Sequence, residues 1–210
     1  MNSPLLTRHT HRDATRPALP FLGDLALPLG RVHELCGNAR RFLAALVAAK
    51  TQGPVFWIAP AWQAERLNPE ALARLVNPGR ITFLDPVRPE DLLWTLEEVL
   101  RSGAVPLAVA DLPGPPGLTA VRRLHLAAET GAEETGRAPL GLLLTPGTGG
   151  AQGIETRWQM QGAHGPGTRG WELHRLRART APQKSWRVAP GRNKDKGGFR
   201  VEALGETVSN

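Results

Sequence analysis

Apolar runs alternate with segments of helical periodicity through the middle of the chain. Four mostly apolar runs are predicted as strands and lie at 55–58, 81–84, 106–111 and 140–144. Beside them, apolar residues recur at helical spacing at 39–50, 70–76, 88–103 and 118–130. Strands of this kind are typical of a parallel sheet that is buried on both faces. The alternation therefore predicts βαβ crossovers and a mainly parallel sheet flanked by helices.

The first strand of this series is expected at 31–36, where apolar and polar side chains alternate. Gly37 and Asn38 then provide a turn into the first helix. Residues 1–20 mix Pro, Thr, Arg and His without periodicity, so we expect them to form a flexible basic arm. Regular structure is accordingly expected to begin near Gly30.

The pattern changes after Thr145. Glycine-rich segments separate four pieces that alternate with period two, at 156–160, 171–177, 185–188 and 199–202. Such alternation is typical of half-exposed antiparallel strands. The predicted fold class is α/β, with a mainly parallel sheet extended by antiparallel strands at its C-terminal end. The predicted organisation is an arm at 1–20, an α/β core at 21–150, and a basic antiparallel extension with a flexible tail at 151–210.

Charge is distributed unevenly along the 210 residues. The formal net charge is +7, of which residues 151–210 contribute +6 and residues 1–20 contribute +2, whereas residues 21–150 carry −1. An excess of Lys and Arg normally indicates an anionic partner. We therefore expect any contact with nucleic acid at the two ends of the chain and not in its central part.

The cysteine and histidine content argues against a metal or disulfide framework. Cys36 is the only cysteine, so no intrachain disulfide can form, and it is expected to be a small buried apolar side chain and not a nucleophile. The histidines show no metal-ligand spacing apart from His9 and His11 in the arm. No apolar run reaches a membrane-spanning length of roughly 18 residues, and the N-terminus lacks the order of a signal peptide. We expect a cytoplasmic protein without a cofactor.

A phosphate-binding loop would lie between the strand at 31–36 and the following helix. Such a loop needs a run of free backbone amides, a lysine, and a Ser or Thr for magnesium. The turn after Gly37 is too short and has neither residue type. Arg40 and Arg41 could replace the lysine, or they could simply be solvated in the first turn of the helix. Asp111, at the end of an apolar strand, could organise magnesium or could be an ordinary turn residue.

The basic C-terminal strands also carry three tryptophans, at 158, 171 and 186. Arginine and lysine interleaved with aromatic rings can follow a phosphate backbone and stack bases. The alternation equally predicts tryptophans that pack inward and cations that are solvated. The candidate contacts for DNA or an acidic partner are Arg175, Arg177, Arg179, Lys184 and Arg187.

Five stretches of the chain resemble proteins of the RecA superfamily. The segment LPLGRVHELCG at 27–37 resembles the strand that leads into the RecA phosphate loop, and LRSGAVPLAVAD at 100–111 resembles its magnesium-site strand. More specifically, DLLWTLEEVLRSG at 91–103, LTAVRRLHLAAE at 118–129 and TRW at 156–158 resemble the ImuA branch, the RecA/SulA-like accessory proteins of bacterial mutagenesis cassettes. The likeness runs from about residue 27 to residue 202.

The resemblance implies a RecA-like core whose nucleotide site is degenerate. By the RecA pattern, a lysine and a threonine should follow Gly37, and a glutamate should follow the second strand, where Pro60 and Ala61 stand. Gly37 and Asp111 alone are retained as vestigial positions. The implied role is in damage-induced (SOS) translesion synthesis, in contact with an ImuB-like Y-family polymerase homologue, an error-prone polymerase and RecA, with self-association as a further expectation.

Four functions are therefore in competition, of which a cell-division inhibitor resembling SulA is the most distant. The leading expectation is a non-catalytic interaction protein that assembles a mutagenic repair complex. The second is a DNA-stimulated ATPase that uses Arg40, Arg41 and Asp111 in an unconventional site. The third is single-strand DNA binding by the basic C-terminal strands.

Overall fold

The computed structural model describes residues 16–63, 65, 67–191 and 198–204. Its strands are β1 (Ala18–Leu22), β2 (Leu25–Pro28), β3 (Val32–Cys36), β4 (Val55–Ile58), β5 (Ile81–Leu84), β6 (Leu107–Asp111), β7 (Leu140–Leu144), β8 (Thr156–Gly162), β9 (Trp171–Ala178), β10 (Lys184–Pro190) and β11 (Phe199–Ala203). Its α-helices are α1 (Arg40–Ala48), α2 (Pro69–Ala73), α3 (Pro89–Ser102) and α4 (Leu118–Thr135). A 3₁₀ turn spans Pro78–Arg80.

Nine strands form one continuous sheet in the order β11-β10-β9-β8-β3-β7-β6-β4-β5. The six strands from β8 to β5 pair in parallel, whereas β8 to β11 pair antiparallel. The parallel sheet flanked by helices and its antiparallel extension are thus confirmed. Strand β8 belongs to both parts, because it is parallel to β3 on one side and antiparallel to β9 on the other.

The two faces of the sheet are covered by different elements. On one face, the β1–β2 hairpin and α1 pack over Leu35, Trp57 and Trp158. On the other face, α3 and α4 pack over Val32 and apolar residues of β6 and β7. Strands β6 and β7 are buried on both faces, as their apolar sequences predict. Strand β3 is also buried on both faces, although its sequence alternates apolar and polar residues. The carboxyl ends of these strands define one edge of the core.

The helix ends follow their sequence signals. Asn68 caps α2 by accepting hydrogen bonds from the amides of Glu70 and Ala71. Helix α3 begins at Pro89 with acidic residues in its first turn and ends at Gly103, whose φ of 57° places it in the left-handed region. Within the described part of the chain, no helix is both long enough and apolar enough to cross a membrane.

The start of regular structure is one expectation that the structure corrects. It begins at Ala18 with the β1–β2 hairpin, and not near Gly30. Pro20 and Pro28 obscure the strand pattern in the sequence, but proline is tolerated in a two-stranded ribbon because one side of each strand makes no ladder hydrogen bonds. Phe21 of the hairpin packs edge-on against Trp158, with ring centroids 5.3 Å apart. Residues 1–15 of the predicted arm lie outside the described residues.

A buried carboxylate joins the two parts of the sheet. Glu34, in the middle of β3, is fully buried and accepts hydrogen bonds from the Thr145 hydroxyl at 2.7 Å and from the amides of Gly150 and Ala151 at 2.8 and 3.1 Å. It also forms an ion pair with Arg157 of β8. The Arg157 guanidinium in turn donates to the carbonyl of Ala151 at 2.9 Å. Four neighbours therefore satisfy a charge that would otherwise be very costly to bury.

We expect the variant Glu34→Gln to lose about 3 kcal/mol of unfolding free energy, because it leaves the part-buried Arg157 without a counter-charge. Urea denaturation followed by circular dichroism measures this loss. The matched control is Glu70→Gln, since Glu70 pairs with Arg74 on an exposed helix surface and its loss should cost less than about 0.5 kcal/mol. Equal midpoints for the two variants would contradict the role given to Glu34.

Candidate functional site

The turn between β3 and α1 uses its own backbone amides within the protein. The amide of Gly37 donates to the carbonyl of Gly147 at 2.9 Å, and the amide of Ala39 donates to the carbonyl of Met160 at 3.1 Å. The amide of Arg40 lies 3.4 Å from the carbonyl of Gly37. A phosphate loop needs such amides free, so this turn has the position of a phosphate loop but not its binding groups.

The turn is also held close to the neighbouring strand β8. Gly37 has a φ of 89°, and a Cβ added there would lie 2.3 Å from the carbonyl oxygen of Met160. Only glycine fits this conformation and this spacing. Asn38 adds a further link, because its side-chain oxygen accepts a hydrogen bond from the amide of Gly162 at 2.9 Å. The turn is therefore tied to β8 and to the loop after β7.

Two arginines from the first turn of α1 neutralise Asp111 at the carboxyl end of β6. The Nε of Arg41 donates to Oδ2 of Asp111 at 2.5 Å, and the Nε of Arg40 lies 3.8 Å from Oδ1. The Asp111 side chain is only 3% exposed, and both arginine side chains are 21% exposed. The interpretation of Arg40 and Arg41 as solvated residues is therefore wrong. Their guanidinium groups reach the carboxylate because β3 and β6 end at the same edge of the sheet.

Two further residues complete this charged cluster. The side-chain amide of Gln63 lies 3.5 Å from Oδ2 of Asp111, and a guanidinium nitrogen of Arg41 donates to Glu65 at 2.9 Å. Burial lowers the pKa of Arg41, but its hydrogen bonds and ion pairs with Asp111 and Glu65 outweigh burial and raise that pKa overall. No pattern in the sequence points to Gln63 or Glu65, since they lie in an irregular segment after β4.

Asp111 is thus paired with arginines of its own chain. An aspartate that binds magnesium would need its carboxylate free for the metal. A positive charge at the start of α1 is also unfavourable for the helix dipole, which prefers an anion there. The Asp111 carboxylate compensates for this, because it lies next to the same helix end. Gly37 and Asp111, the two positions that the resemblance singled out, thus lie at the same edge of the sheet, together with side chains that bind each other.

Cys36 is buried, as expected from the sequence. Its thiol is fully buried beside β8, with Sγ 3.5 Å from the carbonyl of Trp158. Burial, followed by the charge of Glu34, raises the pKa of the Cys36 thiol to about 12. The thiolate is therefore not formed at neutral pH, and this cysteine lacks the character of a nucleophile.

The five predicted basic contacts do not form one surface. Arg175 and Lys184 lie on the same face of the sheet as the buried Trp158 and Trp186. The guanidinium carbon of Arg175 is 5.6 and 5.3 Å from the two ring centroids, and the ammonium of Lys184 is 5.8 Å from the ring of Trp186. Burial lowers the pKa of Arg175. The inward packing of Trp158 and Trp186 is confirmed, and Arg175 covers them.

The other three cations lie elsewhere. Arg179 forms an ion pair with Glu155, which also lies 3.7 Å from Arg31 at the amino end of β3. Arg177 is exposed at a β-bulge opposite Arg157. Arg187 is exposed on β10 and points away from the tryptophan face. Sequence spacing alone could not separate these positions, because the bulge changes the alternation between 175 and 177.

Two buried histidines, one on each face of the sheet, have fixed hydrogen bonds. His33 must carry its proton on Nε2, because that atom lies 2.9 Å from the carbonyl of Pro28. Its Nδ1 accepts from the Thr156 hydroxyl at 2.7 Å, and that hydroxyl oxygen accepts from the indole of Trp158 at 2.8 Å. Burial lowers the pKa of His33 to about 3. This chain of bonds joins the hairpin, β3 and β8.

His125 of α4 has the same arrangement of donor and acceptor. Its Nδ1 accepts from the amide of Val32 at 3.3 Å, and its Nε2 donates to the carbonyl of Gly153 at 3.2 Å. Burial, and then the charge of Arg31, lower the pKa of His125 to about 4. Among the residues whose positions are described, no group of three or more His, Cys, Asp or Glu side chains could hold a metal ion.

No protein-family model matches this sequence, and no curated protein matches it.

We expect the protein to lose stability as pH falls from about 6.5 toward 4. In the unfolded chain, His33 and His125 bind protons near pH 6.5, whereas in the folded protein they stay neutral until about pH 3 and 4. The unfolded state therefore binds more protons in this window, at a cost of about 1 kcal/mol per pH unit for each histidine.

The variant His125→Gln tests this dependence. Its unfolding free energy, measured by urea denaturation at pH 6 and pH 5, should change by about 1 kcal/mol less than that of the wild type. Thr130→Ala, on the same helix, is the matched control because it alters no ionisable group. If the unfolding free energy of His125→Gln changes between pH 6 and pH 5 by as much as that of the wild type, His125 does not cause the acid sensitivity.

Proposed function

We propose that this protein is an ImuA-like, non-catalytic accessory protein with a RecA-like core. Its role is to assemble with an ImuB-like polymerase homologue, an error-prone polymerase and RecA in damage-induced translesion synthesis in the cytoplasm. The proposal rests on the resemblance of the segments at 27–37, 91–103, 100–111, 118–129 and 156–158. All five lie within the described part of the α/β fold and its first antiparallel strand.

The observation that carries the non-catalytic part is the ion pair between Asp111 and the arginines at the start of α1. In a nucleotide enzyme, the corresponding carboxylate serves magnesium, and the turn serves phosphate. Here Arg41 donates to Asp111 at 2.5 Å, and the amides of Gly37 and Ala39 donate to backbone carbonyls. A nucleotide would have to displace all of these bonds. The same cluster disfavours the DNA-stimulated ATPase, because Arg40 and Arg41 contact the carboxylate that such an enzyme would need free.

We expect the protein to form a stable complex with the ImuB-like polymerase homologue or with RecA. Analytical size-exclusion chromatography of the mixed proteins should show co-elution that persists at about 0.3 M salt, where long-range attraction to the basic ends is largely screened. The salt condition is the control for association that depends on charge alone. If the protein associates with neither partner, the proposed role is wrong.

The nucleotide site has a separate test, in which Asp111→Ala is compared with wild type. Wild-type protein should show no thermal shift with millimolar ATP. Asp111→Ala should be less stable by about 3 kcal/mol, because two partly buried arginines lose their counter-charge. It should also gain a thermal shift with pyrophosphate, because those arginines are then free for an anion.

The exposed residue Asp24 gives the matched control, since Asp24→Ala removes the same charge from a turn at the surface. An ATPase would give the opposite pattern, with a thermal shift and ATP turnover in the wild type that are both lost in Asp111→Ala. That pattern would overturn the non-catalytic proposal without affecting the complex test.

A further inference from the structure

The outer side of α4 carries an exposed stripe with an apolar residue at its centre. The buried residues of α4 pack into the core that covers one face of the sheet. Arg122, Leu126 and Glu133 lie on the opposite side of the helix and are exposed. They share one face because separations of four and seven residues return to the same side of a helix. Leu126 is 62% exposed, so this face of the helix is not wholly polar.

Trp94 of α3 extends the apolar part of this surface. It is 59% exposed and lies one helical turn before Glu97, whose carboxylate pairs with Arg123 of α4 at 2.8 Å. This ion pair holds that part of α3 beside the turn of α4 that precedes Leu126. Two of the five exposed large apolar side chains in the described part of the chain therefore lie on one surface. An apolar patch that is rimmed by charged groups is typical of a protein–protein contact.

The charges at the end of α4 do not match its own dipole. The last turn carries Glu133 and Glu134, both exposed, and no basic residue. The negative end of a helix dipole disfavours acidic groups. Arg122 and the two glutamates form no ion pair within the described part of the chain. These charges therefore contribute little to the stability of the isolated helix and are available to a partner.

The stripe is complementary to a second copy of itself. If two α4 helices lie antiparallel about the midpoint between residues 122 and 133, Arg122 of each copy faces Glu133 of the other. Leu126 then lies about 2 Å along the helix from the two-fold axis. The two leucines pack against each other at the centre, with one ion pair on each side of them. A two-fold axis thus pairs all four charges at once, as an isologous contact requires.

We propose that two copies of this chain form a closed dimer through the outer side of α4, with the two helices antiparallel. Trp94 and Leu126 supply its apolar part, and the pairs between Arg122 and Glu133 fix its orientation. A contact of one helix face buries less surface than a standard interface, so the dimer is weak and dissociates on dilution. A closed two-fold contact uses both copies of the surface, so growth stops at two chains. The proposal does not depend on the ImuA-like role.

Sedimentation velocity of the full-length chain tests the stoichiometry. Between roughly 1 and 200 µM, the sedimentation coefficient should rise from that of a monomer to that of a dimer and then stay constant. A wild-type protein that remains monomeric over this range would overturn the proposal. Growth beyond a dimer would also overturn it, because only an open, head-to-tail contact allows further chains to add.

Two charge-reversed variants test the antiparallel pairing. Arg122→Glu and Glu133→Arg each replace two attractive pairs by two repulsive ones, so each variant should dimerise at least about tenfold more weakly than the wild type. An equimolar mixture of the two variants should recover the dimer, because one chain is then acidic at both positions and the other is basic at both.

The matched control for these variants is Arg74→Glu, which reverses an exposed charge on α2 and should leave dimerisation unchanged. A mixture that dimerises as weakly as the separate variants would overturn the proposed pairing. Recovery in the mixture cannot result from misfolding, because neither variant alone gives it.

A disulfide crosslink gives a measurement that does not depend on charge. Leu126→Cys places a thiol close to the two-fold axis, and the native Cys36 is buried and does not compete. Mild oxidation should give a crosslinked dimer on a non-reducing gel. The matched control is Val87→Cys, at a residue that is 74% exposed in the segment before α3, and it should give little crosslinking.

Equal crosslinking of the two cysteine variants would overturn the proposal. If the Leu126→Cys thiol instead resists a maleimide label in a monomer, another segment of the same chain covers the stripe, and the proposal is wrong.

Discussion

The buried carboxylate of Glu34 is the interaction on which the junction of the sheet depends. Its negative charge pairs with the part-buried Arg157, and its bonds to the amides of Gly150 and Ala151 fix the loop that crosses from β7 to β8. That loop has to place β8 parallel to β3, so that the antiparallel strands extend the same sheet.

The same junction determines which backbone groups are free at the edge of the core. Because β8 lies close to β3, the carbonyl of Met160 approaches Gly37 and accepts a hydrogen bond from the amide of Ala39. The loop fixed by Glu34 supplies the second acceptor, the carbonyl of Gly147. The packing that joins the two parts of the sheet therefore also occupies the backbone groups that a phosphate would need.

Much of the fold could be predicted because the apolar runs of β4, β5 and β7 are short, continuous and bounded by clear helix signals. The hairpin at 18–28 could not, because prolines and a glycine interrupt its alternation. The contact of Arg41 with Asp111 also could not be predicted, since 70 residues separate them and only the strand order brings them together. The face of the sheet on which Arg175 and Arg177 lie could not be predicted either. A single β-bulge between them changes which face each following side chain occupies.

The pairing of Arg41 with Asp111 has a consequence for competition at this edge. Two groups joined by a short flexible linker have an effective concentration on the order of millimolar. Asp111 is held directly against Arg41 by the fold, so its effective concentration is at least that high. This internal ligand is present in every copy of the protein at all times. A free anion in the cell must outcompete it before it can touch either arginine. The edge is therefore buffered against changes in the cellular level of small phosphates.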